Sequence, residues 1–145
     1  MVARLTPGHT KGCTTWTTTV QEDGRPRRVV IIGSMGSNPG FQFVNNKDNP
    51  SIADEYKQGF RVLRALKPDV PLASHPAMYD MAAKFARMGR GSASAQSASA
   101  QPRRREGGPN PFIDPAGYTA ELDTVEGLFL PVLAAQQKAA ADANR

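Results

Sequence analysis

Histidine is the side chain best suited to chemistry here, and the 145-residue chain holds two of them. One lies in Thr6-Pro7-Gly8-His9-Thr10 and the other in Ser74-His75-Pro76. A neutral imidazole nitrogen ligates zinc at about 2.0–2.1 Å, and a catalytic zinc takes roughly three protein ligands with water in the remaining position. Gly8 permits a tight backbone and close approach of an ion, while Pro7 stiffens the lead-in. Thr10 can hold the loop by local hydrogen bonds. Taken singly, neither histidine specifies a ligand, because a loop histidine is as readily structural. What raises both is their joint setting at strand ends. Cys13, the one cysteine, excludes an internal disulfide. It could join His9 and His75 in a makeshift site, but four residues past His9 it is expected to point into the sheet as a small buried residue.

The elements that must position these residues follow from local pattern. Thr14-Thr15-Trp16-Thr17-Thr18-Thr19-Val20 is β-branched and aromatic and reads as a strand. Asp23-Gly24 supplies a turn, and Arg28-Val29-Val30-Ile31-Ile32 reads as its antiparallel partner. Residues 33–49, rich in Gly, Asn, Ser and Pro, form a long loop of the kind that is functional or disordered. Ser51 or Asp54 can cap a helix running to about residue 65, with Tyr56, Phe60 and Leu63 on its apolar face. Pro68 ends it, and residues 69–74 form a short strand leading into His75. A second helix, about residues 79–88, places Met78, Met81, Phe85 and Met88 on one face, which reads as core rather than as a cofactor site. A last helix carries a stripe of Tyr118, Leu122, Val125, Phe129 and Val132.

Residues 89–109 differ in kind. Ser92-Ala93-Ser94-Ala95-Gln96 repeats at once as Ser97-Ala98-Ser99-Ala100-Gln101, too small in side chain to offset its ordering entropy. The organisation expected is one α/β domain over residues 1–88, a flexible insertion at 89–109, a helical segment of the same domain at 110–136, and a polar tail at 137–145. Its small mixed sheet should be covered by helices on one face.

The net charge of +5 is largely local, in Arg25, Arg27 and Arg28 around a turn and in Arg103-Arg104-Arg105. That is the pattern of solvated loop charge, so nucleic acid is not an expected partner. No apolar run approaches the roughly 18–20 residues of a membrane span. No signal-peptide pattern opens the chain, so the expectation for the chain as given is a cytoplasmic location.

Several motifs together resemble a known family. Thr6-Pro7-Gly8-His9-Thr10-Lys11-Gly12-Cys13-Thr14-Thr15-Trp16 is similar to the third metal-binding motif of the zinc metallo-β-lactamases of class B, subclass three. Gly33-Ser34-Met35-Gly36-Ser37-Asn38-Pro39-Gly40 resembles their substrate loop, and Ala73-Ser74-His75-Pro76 their last metal motif. Asn110-Pro111-Phe112-Ile113-Asp114-Pro115-Ala116-Gly117-Tyr118 resembles their C-terminal signature. The resemblance runs in order from residue 3 to about 133, with the serine-alanine insertion foreign to it.

It implies the C-terminal half of an αβ/βα sandwich with two zinc ions at its mouth. His9 would be the third histidine of the first zinc, and His75 a ligand of the second. A hydroxide between the metals would attack the β-lactam carbonyl. Ser34, with Ser37 or Asn38, would hold the substrate carboxylate, although the family's frequent second serine is Gly36 here. Trp16 is expected to pack in the core beneath the His9 loop. The family's upstream His-x-His-x-Asp-His motif is absent, so the resemblance implies an incomplete hydrolase whose partner is the missing N-terminal half. Complete members are usually periplasmic or secreted. Two other readings stand beside it: a same-fold hydrolase of a thioester, lactone or phosphoester, and a non-catalytic remnant or interaction module using the basic insertion.

Overall fold

The computed structural model describes residues 1–88 and 109–145, so the serine-alanine repeat and the triple arginine lie outside the described residues. The elements run β1 (Val2–Leu5), β2 (Thr14–Glu22), β3 (Arg25–Ile32), α1 (Ile52–Leu66), β4 (Val70–Ala73), a 3-10 turn (Pro76–Tyr79), α2 (Met81–Arg87) and α3 (Pro115–Ala143). The strands form one sheet in the order β1-β2-β3-β4. β1, β2 and β3 are antiparallel, and β4 joins β3 in parallel through the α1 crossover. The β2–β3 hairpin closes on Asp23 and Gly24, with φ of 50° and 74°. Positive φ at both central residues is the type I′ turn, whose twist matches that of the flanking strands. β1 adds to the strands assigned from the sequence, the first of which begins at Thr14.

Strand register sorts side chains to the two faces. Thr15, Thr17, Val30, Ile32 and Pro71 fall on one face, and Val30 and Ile32 there join a core of Tyr56, Phe60 and Leu63 from α1 with Tyr118, Leu122, Phe129 and Leu133 from α3. Leu5, Trp16, Val20, Ile31 and Leu72 fall on the other. The helices therefore cover one face of a small mixed sheet, as expected. The opposite face leaves Leu5 61%, Trp16 43% and Val20 44% exposed. Trp16 is thus not core packing beneath the His9 loop. It pairs with Ala3 and Ile31 on the uncovered face, and its neighbour Thr15, fully buried, takes the inner position.

α1 starts at Ser51, whose side chain makes no capping bond; Asp54 and Glu55 in its first turn complement the helix dipole instead. α3 starts at Asp114, which accepts from the Gly117 backbone N–H at 2.8 Å, with Pro115 just inside. α3 continues through residues 137–143, and its inward stripe ends on Leu133 rather than Val132, which is 42% exposed. An (i, i+4) step from Phe129 keeps the stripe facing inward, whereas i+3 drifts off it. No helix among the described residues is long and apolar enough to cross a membrane.

The second helix also departs from its expected face. Met78, Met81, Phe85 and Met88 are half-buried, and the most enclosed residue of α2 is Lys84, 1% exposed, whose Nζ lies 2.9 Å from Asp114. The long loop is packed. Met35 and Phe43 enter the core, and the Gln136 carboxamide accepts from the Phe43 and Val44 amides and donates to the Phe41 carbonyl.

Candidate metal and substrate site

The His9 loop is built from backbone outward. Thr6 N–H donates to the Cys13 carbonyl at 2.9 Å, and Cys13 N–H to the Thr10 carbonyl at 3.1 Å. Below them the hydroxyls of Thr6 and Thr15, both fully buried, bond at 2.9 Å. Gly8 sits at φ +156°, and a Cβ there would lie 3.3 Å from the Tyr56 ring. The position needs glycine on both counts. Helix α1 approaches as closely at Gly59, where a Cβ would lie 2.7 Å from the Pro7 carbonyl oxygen.

His9 leaves this loop exposed and places Nδ1 2.8 Å from the Gly36 carbonyl. A carbonyl only accepts, so Nδ1 carries the hydrogen, and in the neutral imidazole the lone pair is then on Nε2. The same carbonyl accepts from the Tyr56 hydroxyl at 3.0 Å. Burial, and less strongly the neighbouring Cys13, push the Tyr56 phenol up to about 12, so it stays a donor.

Cys13 is buried, as expected, and its sulfur lies 3.2 Å from both the amide and the carbonyl of Ser34. It thereby anchors the start of the 33–49 loop to the residue just ahead of β2. At the end of β4 the Ser74 hydroxyl donates to the Gly33 carbonyl, and Ser74 N–H to Ile32 at 2.9 Å. His75 follows and caps the 3-10 turn, its Nδ1 accepting from Ala77 N–H at 3.3 Å. Its hydrogen therefore sits on Nε2, the opposite arrangement to His9.

His9, His75, Ser34, Ser37 and Asn38, drawn from three separate stretches of chain, line one cavity of about 610 Å³. Glu121 of α3 lines it as well. Burial raises the Glu121 carboxyl above its ordinary value. Sequence reading missed Glu121 and Tyr56 as site residues: Tyr56 sits on an apolar helix face that reads as packing and bonds Gly36, 20 positions away, and Glu121 reaches the cavity only through the placement of α3.

Two imidazoles do not make a zinc site. No group of three or more His, Cys, Asp or Glu side chains placed to hold a metal occurs among the described residues. The two-zinc set therefore does not fit within this chain by itself.

No family model matches the sequence. Solved structures do. FEZ-1 metallo-β-lactamase from Legionella gormanii aligns at 36% identity and a TM-score of 0.78, over 93% of this chain and 45% of its own. BJP-1, a subclass B3 metallo-β-lactamase of Bradyrhizobium japonicum, aligns at 32% identity and 0.75, over 94% and 46%. In sequence and fold the chain is similar to the subclass B3 metallo-β-lactamases. A class B3 di-zinc metallo-β-lactamase from an Alaskan soil metagenome, at 23% identity and a TM-score of 0.67, shares the fold. The chain spans a little under half the length of these metallo-β-lactamases. That proportion accords with a C-terminal half, and the bare face carrying Leu5, Trp16 and Val20 is where an αβ/βα sandwich would place its second sheet.

Charge follows the sequence expectation in part. Among the described residues Arg27 pairs with Glu22 at 3.1 Å and Arg28 with Asp69 at 3.5 Å. The arginines of the hairpin thus do not form an unpaired basic stripe.

Proposed function

We propose that the chain is the C-terminal half of a zinc-dependent β-lactam hydrolase, catalytically incomplete by itself. In this reading His9 ligates the first zinc and His75 the second. Ser34, with Ser37 or Asn38, holds the substrate carboxylate, and the remaining ligands come from an N-terminal half seated on the uncovered sheet face. When bound, the metals would supply a nucleophilic hydroxide and polarise the lactam carbonyl. This chain's own part is to hold two imidazoles and a polar loop around one space. The observation that carries the reading is the meeting of those five residues in one cavity, beside a sheet face that is still apolar and open.

His75 must also give up a bond. Its Nδ1 now accepts from Ala77, and ligation through Nε2 requires the other tautomer. The incomplete ligand set and the capping role of His75 together support weak zinc binding by the isolated chain. A hydrolase of the same fold acting on a thioester, lactone or phosphoester is the second reading. It is favoured by Gly36, which lines the cavity at the position where the family often has its second serine.

The test is equilibrium dialysis of the purified chain against zinc, with turnover of a chromogenic cephalosporin measured in parallel. The proposal expects weak zinc binding, weaker still in His9→Ala and His75→Ala, and no turnover. Turnover by this chain alone would refute the claim of incompleteness. Zinc binding indifferent to both substitutions would refute the assignment of the histidines.

A further inference from the structure

We propose that Tyr56 is a positioning residue that holds His9 in the tautomer able to ligate a metal. The inference rests on the reading of His9 as a ligand, and its geometry centres on the Gly36 carbonyl. That oxygen accepts from the Tyr56 hydroxyl at 3.0 Å and from His9 Nδ1 at 2.8 Å. A carbonyl has two acceptor lone pairs, so both bonds are made at once. The tyrosine is the fixed member of the three: fully buried, stacked on Phe129 at 5.2 Å and edge-on to Phe43 at 5.1 Å. Its ring also lies directly under Gly8, the residue before His9.

One side chain therefore sets both ends of the contact. The ring fixes the height of the backbone from which His9 projects, and the hydroxyl fixes the carbonyl that captures its Nδ1 hydrogen. With Nδ1 occupied, the Nε2 lone pair is the one left for an ion. His75 shows the contrast. With no carbonyl on its Nδ1, it rests in the opposite tautomer, bonded to Ala77 N–H.

The experiment uses the full chain without metal, labelled with nitrogen-15 histidine, at about pH 8.5, where an ordinary imidazole is neutral. Long-range proton–nitrogen correlation spectra report which ring nitrogen carries hydrogen. In the wild type His9 is expected with Nδ1 protonated and Nε2 bare. Tyr56→Phe keeps the ring but removes the hydroxyl, and is expected to turn His9 into a mixture of tautomers with averaged nitrogen shifts. Tyr118→Phe is the control. It removes another buried hydroxyl, one bonded to the Leu63 carbonyl at 2.7 Å and away from the cavity, and is expected to leave His9 unchanged.

An unchanged His9 in Tyr56→Phe overturns the proposal, as does an equal change in both variants, which would mean general loosening. The wild-type spectrum decides independently of whether a variant folds: a His9 with Nδ1 bare overturns the proposal outright. The readout needs no metal, so a failure of zinc to bind would count against His9 as a ligand and leave the tautomer result standing.

Discussion

Replacing Lys84 with methionine removes the charge that holds the helix behind His75 against the start of α3. Lys84 is 1% exposed, and its Nζ sits 2.9 Å from Asp114, whose side chain is 29% exposed. Asp114 also caps α3, accepting from Gly117 at 2.8 Å, and its own amide donates to the Asp69 carbonyl at 2.9 Å. Burial by itself would raise the Asp114 carboxyl, but the Lys84 ammonium and the Gly117 N–H outweigh it and hold the carboxyl below its ordinary value. Removing one partner of a buried pair costs about 3–5 kcal/mol. Asp114 keeps its cap bond and some water, so a loss of about 2–3 kcal/mol is expected.

The pH dependence has a definite sign. A carboxyl lowered in the folded state contributes stability above its unfolded value, near 3.9, and loses it as pH falls through the folded value. The gap between wild type and Lys84→Met should therefore be widest near neutrality and shrink below about pH 4. Urea unfolding followed by far-ultraviolet circular dichroism at neutral and acid pH measures both quantities. Adding Asp114→Asn to Lys84→Met should recover part of the loss, because no buried charge is then left unpaired. A neutral-pH loss under about 0.5 kcal/mol, or a gap that does not narrow in acid, would refute this account of the pair.

Glu121→Gln should stabilise the chain at neutral pH by at most about 1 kcal/mol, with no gain below about pH 4. The sign follows because burial raises the carboxyl, so its charged form opposes folding; thermal unfolding at the two pH values checks it. Gly8→Ala should cost about 1–3 kcal/mol in urea unfolding, from the positive φ and the Tyr56 ring 3.3 Å from the new Cβ. Trp16→Thr, on a side chain 43% exposed, should change stability by less than about 0.5 kcal/mol while reducing self-association in sedimentation and binding of an apolar dye.

Much of the fold was legible because it is written locally. The Asp23-Gly24 turn, the β-branched strands, the α1 face of Tyr56, Phe60 and Leu63, and the α3 stripe as far as Phe129 all follow from short-range pattern. β1 escaped because four residues with Val2 and Leu5 at opposite parities carry no alternation. Trp16 was misplaced for a deeper reason: register says which residues share a face, and gives no sign of which face the helices cover. Lys84 hid in a segment whose expected inward face was Met78, Met81, Phe85 and Met88, since its burial depends on Asp114, 30 positions later.

The candidate site was legible as residues and not as architecture. His9, His75, Ser34, Ser37 and Asn38 were named from motifs, and they meet in one cavity. What fixes them is long-range: Cys13 on the Ser34 backbone, Tyr56 and His9 sharing Gly36, and Gln136 bonding residues 41–44 across more than 90 positions. No local pattern records such pairs.

The central claim, that this chain is half of a two-metal hydrolase, is tested most directly by complementation. The chain is mixed with the N-terminal half of FEZ-1 metallo-β-lactamase from Legionella gormanii, and bound zinc and cephalosporin turnover are measured on the isolated complex. The account predicts a one-to-one complex holding about two zinc ions, with turnover that neither half shows separately and that His9→Ala or His75→Ala abolishes. A complex that gains zinc and activity equally well with both histidines replaced, or a chain active without its partner, would contradict it.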